Sequence, residues 1–342
     1  MSRHRERGWP APPEPLPLPV VDNHTHLDSV LAVPLPFPPP PTPASPELSG
    51  VRSPAEFREP GERETGVAES GAETVGHGGG GLGAHLRTAA TVGVTRMVQV
   101  GCDLESAAWT GAAVREHSEL LGAVAIHPNE AVLHAGVREV APDGLDPDPQ
   151  PRHDVPLDEA IAAVAAIARA NPRIRAIGET GLDFFRGGEH GRRVQREAFR
   201  AHVALAKELG LALQIHDRDA HAAVLEVLTS DGAPERTVFH CFSGDAELAR
   251  SAVAHGWFCS FAGPVSYPAN DALRAALREV PASLLLAETD APYLTVRPHR
   301  GRPNAPYLLP GTVRTIAETT GRPLEAVCER LAATAETVYG PW

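Results

Sequence analysis

The chain reads as an α/β protein, a (β/α)8 TIM-like barrel in a single domain, and three observations predict it. Short, mostly continuous apolar runs alternate with stretches of helical spacing, the pattern of parallel strands buried on both faces. Eight such runs occur between Val20 and Glu288. No Gly-x-Gly-x-x-Gly follows the first of them, which argues against an open doubly wound sheet holding a dinucleotide.

Taken in order, residues 1–19 are polar and Pro-rich and are expected to form a disordered arm. The first strand, opening Val20-Val21-Asp22, carries His24 and His26 at its end. Residues 33–83 then run through Pro38-Pro39-Pro40-Pro41, a Glu-rich patch and Gly78-Gly79-Gly80-Gly81, and are expected to be a flexible insertion. A helix near His85–Val92 precedes the strand Arg96–Val100, and a helix near Leu104–Leu120 precedes the strand Ala123–Ile126, which ends at His127-Pro128. A second polar insertion occupies 141–156. The Ala-rich helix Leu157–Ala170 leads to the strand Ile174–Glu179.

The amphipathic helix Val194–Leu209 ends at Gly210, the residue type favoured where a helix closes in the left-handed region. Strand Leu211–His216, helix Ala220–Leu228, strand Thr237–His240, helix Ala246–Ala254 and strand Trp257–Phe261 follow. A helix near Ala272–Val280 leads to Leu284–Glu288, the last strand, and helices near Gly311–Thr319 and Leu324–Ala333 close the barrel domain, 20–340.

Composition sets limits on function. The 342 residues include 42% apolar types, enough for one large core. Four scattered cysteines form no Cys-x-x-Cys pair, as expected of a cytoplasmic protein without a disulfide framework. No signal core and no stretch of about 18 apolar residues predicts a membrane span. With 31 basic against 43 acidic residues the net charge is −12, so a polyanionic substrate needs a local basic patch or a metal centre. Nothing in the sequence points to an obligate protein partner.

Side chains two apart on a strand share a face, so His24 and His26 project together. Other chemistry-bearing residues stand at or just past strand ends: Glu179, His216, His240 and Asp290. Barrel active sites are built at that rim. Four imidazoles and two carboxylates exceed the three or four protein ligands of one zinc ion. The excess predicts two divalent ions roughly 3.5–4 Å apart, bridged by Glu179, with Asp290 also placed to accept a proton from water. Zinc and manganese suit the histidines, while carboxylates and water admit magnesium. His127, Arg218 and Arg300 stand beyond strand ends as candidate contacts to a substrate phosphate, with Arg186 and Arg302 nearby. Asp183 is placed to orient a ligand or fix its loop, and Cys241 is expected to pack behind the rim.

The stretches Asp22–Asp28, Ile177–Asp183, Gln214–Ala220, His240–Gly244 and Glu288–Leu294 resemble the signature blocks of the TatD family, metal-dependent hydrolases of the amidohydrolase superfamily generally described as deoxyribonucleases. The resemblance runs from Val20 to Tyr339 apart from the insertions, and puts the family's metal ligands on the same six residues. It implies cleavage of phosphodiester bonds in DNA by a metal-activated hydroxide. In the block Pro298–Asn304, which usually continues Asn-Glu-Pro, Ala305 replaces the Glu; Thr334 stands where Asn is frequent. The resemblance implies that the long insertion after Asp28 falls on the catalytic rim. The same hydroxide would serve hydrolysis of a lactone, ester or amide, the principal alternative; a metal-stabilised, non-catalytic scaffold is the second.

Overall fold

A computed structural model describes residues 8–34 and 81–342. Eight parallel strands lie side by side in chain order and form a nearly closed barrel. Strand β1 (Val20–Thr25) is followed by a short helix α1 (Leu27–Leu31). Helix α2 (Leu82–Thr91) then leads to β2 (Val94–Gly101), α3 (Leu104–Glu116) to β3 (Leu120–Val124), and the pair α4 (Pro128–His134) and α5 (Leu157–Ala170) to β4 (Ile174–Asp183). Next come α6 (Glu189–Leu209) and β5 (Ala212–Arg218), α7 (His221–Asp231) and β6 (Thr237–Phe239), α8 (Ala246–Ala254) and β7 (Phe258–Phe261). Helix α9 (Asp271–Glu279) precedes β8 (Leu285–Ala287), and α10 (Leu309–Thr320) and α11 (Leu324–Tyr339) complete the ring. Among the described residues no helix is long and apolar enough to cross a membrane.

Strand residues are buried on both faces, as the continuous apolar runs require. One face packs Val98, Leu121, Ala176, Ala212, Val238 and Leu286 into the barrel interior, and the other meets the helices. The seam between β1 and β8 closes beyond β8's end. Thr25 bridges Ala291, the His26 amide donates to the Ala291 carbonyl (2.8 Å) and the Asp290 amide to the His24 carbonyl (3.0 Å). Closure of the barrel and assembly of the rim are therefore one event.

Several elements differ from the sequence expectation. The helix after β2 stops at Glu116, because Leu120 already pairs with Met97 in the sheet. Helices α1 and α4 are additional; α4 starts on Pro128, where a missing amide costs nothing, and the His127 ring accepts the Asn129 amide at its head. Glu179 lies within β4 rather than at its end, since β4 continues to Asp183 beside His216–Arg218. Helix α11 runs on to Tyr339, whose hydroxyl donates to Asn23 behind the His24 pair (2.5 Å).

The expected arm differs too. Residues 1–7 lie outside the described residues, but 8–19 are laid against the barrel rather than disordered. Trp9 and Leu16 are buried, the Leu16 amide donates to Val92, Arg302 donates to the Gly8 and Trp9 carbonyls, and the Tyr307 hydroxyl to that of Pro10. An extended Pro-rich segment leaves its carbonyls free, and distant donors take them. Of the first insertion, 35–80 lie outside the described residues. The second has little regular structure but is pinned: Arg186 pairs with Asp143, and Glu130 receives Arg152 (2.7 Å) and His153 (2.8 Å).

Candidate metal centre

Glu179 stands at the middle of the rim, and its two oxygens face different histidines. Oε2 lies 3.6 Å from His24 Nε2 and 3.8 Å from His26 Nε2. Oε1 lies against His216 Nδ1, 2.8 Å from His240 Nε2 and 3.6 Å from His127 Nε2. Asp290 Oδ1 approaches the first pair, at 3.4 Å from His26 and 3.8 Å from His24. All six expected residues therefore converge. All are buried except His216, which is nearly so.

The spacing suits cations better than hydrogen bonds. His24 and His26 present Nε2 atoms 3.2 Å apart. Bonds of about 2.0–2.2 Å around a four- to six-coordinate ion put neighbouring donors roughly 2.8–3.6 Å apart. The donors fall into overlapping groups: His24, His26 and Asp290; His24, Glu179 and His240; His127, Glu179 and His216. Imidazole and carboxylate together fit a divalent ion of the zinc, manganese or magnesium kind.

Neighbouring groups fix which nitrogen each ring presents. His26 donates Nδ1–H to the Val100 carbonyl (3.1 Å), leaving Nε2 for the centre. His240 donates Nδ1–H to Glu288 (3.1 Å), and His216 donates Nε2–H to Asp183 (3.3 Å). Carboxylates behind ligand histidines hold the ring and raise its basicity. His127 differs: its Nδ1 accepts the Asn129 amide (3.1 Å), so Nε2 carries the proton and is a donor facing the centre.

Charge is balanced across this cluster. Burial alone would lower His26, His216 and His240; the carboxylates outweigh it, Asp290 and Glu179 holding His26 at about 9, Glu179 and Asp183 holding His216 at about 9, and Glu179 and Glu288 keeping His240 well above its ordinary value. Burial would raise Glu179, but His240, His216 and His127 hold it well below the usual range. Burial likewise opposes the ionised form of Asp183, yet His216 and the Arg186 amide draw it down to about 2. Protons thus occupy positions that cations would take.

The remaining expected residues are placed as follows. Arg218 stacks over Phe185 (4.1 Å to the ring centre) and Arg300 over Tyr267 (4.6 Å), both on the rim. Arg186 is half-exposed beside Asp143, while Arg302 binds the N-terminal segment. Cys241 is half-buried beside His240, its amide donating to Glu288 (2.8 Å). Ala305, at the position of the missing Glu, is fully buried, and Asn304 ties the loop by donating to the Thr289 and Tyr293 carbonyls.

Glu288 and Tyr293 escaped sequence reading. Glu288 is fully buried and gathers His240, the Cys241 amide and Asn23. A charged residue at the end of an apolar strand was the available signal. Tyr293 is 56% exposed with its ring 6.0 Å from that of His26, an aromatic face open beside the centre.

Residues 79–340 match the family described as TatD related DNase. The chain is 41% identical over 259 residues to an uncharacterized metal-dependent hydrolase, TatD, of Mycobacterium tuberculosis, covering 75% of this chain and 89% of that one. It is 33% identical over 258 residues to the 3'-5' ssDNA/RNA exonuclease TatD of Cronobacter sakazakii, covering 72% and 89% respectively. The fold resembles the crystal structure of YjjV, a TatD homolog from Escherichia coli, with a TM-score of 0.65 at 23% identity over 76% of this chain and 92% of that one.

Proposed function

Because the chain belongs to the TatD family of metal-dependent hydrolases, we propose that its rim cluster holds two divalent cations and cleaves phosphodiester bonds in single-stranded nucleic acid, DNA foremost. The observation that carries this is the division of Glu179, with one oxygen toward His24 and His26 and the other toward His216 and His240. With metal bound, His24, His26 and Asp290 would hold one ion and His216 and His240 a second, and Glu179 would serve both. The Cronobacter relative's action on single-stranded DNA and RNA supports the substrate class.

Bound cations supply an acidified water and neutralise charge on the phosphoryl oxygens. Asp290 is the base that takes the proton of the attacking water; it lies at the mouth of the centre with 12% of its side chain exposed. His127 donates Nε2–H to a phosphoryl oxygen, in keeping with its tautomer. Asp183 and Glu288 keep the His216 and His240 rings aimed. Arg218 and Arg300 give a local positive field that the acidic chain lacks overall. Exposed Tyr293, its ring 6.0 Å from that of His26, offers an aromatic face beside the centre on which an unpaired base would stack.

The deciding assay offers single-stranded oligonucleotides, with zinc, manganese or magnesium, alongside a panel of lactones, esters and amides. Metal-dependent shortening of the oligonucleotide, abolished by chelation, is the expected result. Turnover confined to the carbonyl substrates would overturn the nuclease reading.

A further inference from the structure

Beside the six expected ligands lies a seventh donor. Cys102 follows β2, and in the metal-free protein its S–H donates to Glu179 Oε2 (3.6 Å), the oxygen that faces His24 and His26. A cation bound there would take the place of that proton, which leaves to solvent. The ligand atoms of His26, Cys102 and Glu179 all lie within 4.8 Å of one another. A zinc–sulfur bond of about 2.3 Å and a zinc–oxygen bond of about 2.1 Å at a tetrahedral angle separate the two donors by roughly 3.6 Å.

The backbone that carries the sulfur is fixed on both sides. The Cys102 amide donates to Ser106 Oγ (2.9 Å) and its carbonyl accepts the His127 amide (2.9 Å). Gly101 packs so closely on α3 that a Cβ would sit 2.6 Å from Ala107 backbone atoms. The capping box between Asp103 and Ser106 fixes the head of that helix. Cys241 is the contrast: it too flanks the rim, yet among the described residues it joins no group of candidate metal ligands.

Resting on the metal centre proposed above, we infer that Cys102 supplies a sulfur donor to the cation shared by His26 and Glu179. Thiolate is a soft ligand, so the site prefers zinc or cobalt to magnesium.

Cobalt(II) is the probe, added to the metal-free full-length protein and to C102S and C241S, with folding checked by circular dichroism. Visible absorption reports cobalt in the centre; a near-ultraviolet sulfur-to-cobalt charge-transfer band reports the thiolate. The wild type and C241S are expected to show both signals, and C102S the visible bands alone. C102S is also expected to lose at least about tenfold in zinc affinity with magnesium affinity unchanged. Visible bands without charge transfer in the wild type, or charge transfer persisting in C102S, would overturn the role of Cys102 and leave the metal centre standing. Absence of any cobalt signal in the wild type would overturn both. Should C102S not fold, protection of Cys102 from alkylation by zinc in the wild type decides, and unchanged labelling counts against ligation.

Discussion

At Asp290 the backbone adopts a φ of 53°, a region that Asp and Asn enter more readily than most residues. Asp290→Asn therefore keeps the turn, its amide bond to His24 and the side-chain shape, while removing the base. Turnover is expected to fall at least about a hundredfold with thermal stability within a few degrees of the parent, read by single-turnover kinetics and a melting curve. Near-normal turnover would take Asp290 out of the proton-accepting role. Glu288 acts one step back: Glu288→Gln leaves an acceptor for the His240 ring but removes its charge. Metal affinity is expected to drop about 10–100-fold in a chelator competition, with the bound stoichiometry recoverable at high metal. The six candidate ligands were legible because a His-x-His pair and polar residues at apolar strand ends are conspicuous. Glu288 carries the same strand-end signal, but its role as the carboxylate behind His240 depends on Asn23 and His240, which only the closed barrel brings to it.

Between elements, the contact of β4 with β5 carries the second half of the centre, and it depends on Gly181. That residue has a φ of 145°, and a Cβ there would lie 2.1 Å from the His216 carbonyl oxygen. Gly181→Ala must push β5 away from β4 or distort both. We expect a loss of at least about 2 kcal/mol in denaturant unfolding, together with weakened metal binding, because His216 moves relative to Glu179. Unchanged stability and binding would mean that the strands have slack. Strands were the most legible elements, since burial on both faces leaves an apolar run. Helix α4 was not legible: it has seven residues, too few for a periodic face. Residues 8–19 misled for a related reason. Their composition suits disorder, and the donors that order them, on Arg302, Tyr307 and Arg314, lie roughly three hundred residues along the chain.

For the whole molecule, closing the barrel forces buried imidazoles and carboxylates together, and protons or cations must settle the charge. His26 and His216, ordinarily near 6.5, are both held at about 9. Raised values mean that the folded, metal-free protein binds these protons more tightly than the unfolded chain does. Their contribution to stability is complete below pH 6.5 and is lost as pH rises toward 9. Asp22 acts in the same sense: burial, opposed by the Thr289 hydrogen bonds, lifts it from 3.8 to about 8, so ionising it costs stability progressively from about pH 4 up to about 8. Metal reverses the slope, because ligand imidazoles must be neutral and each bound cation displaces protons. The melting temperature in chelator is therefore expected to fall between pH 6.5 and 9, while the gain from saturating metal widens over the same interval. Calorimetry in two buffers of different ionisation enthalpy should register proton release on metal binding near pH 7.5. A metal-free melting temperature that stays level or rises through this window would mean that the histidines are already neutral, and that something other than Glu179, Asp183 and Asp290 governs their charge.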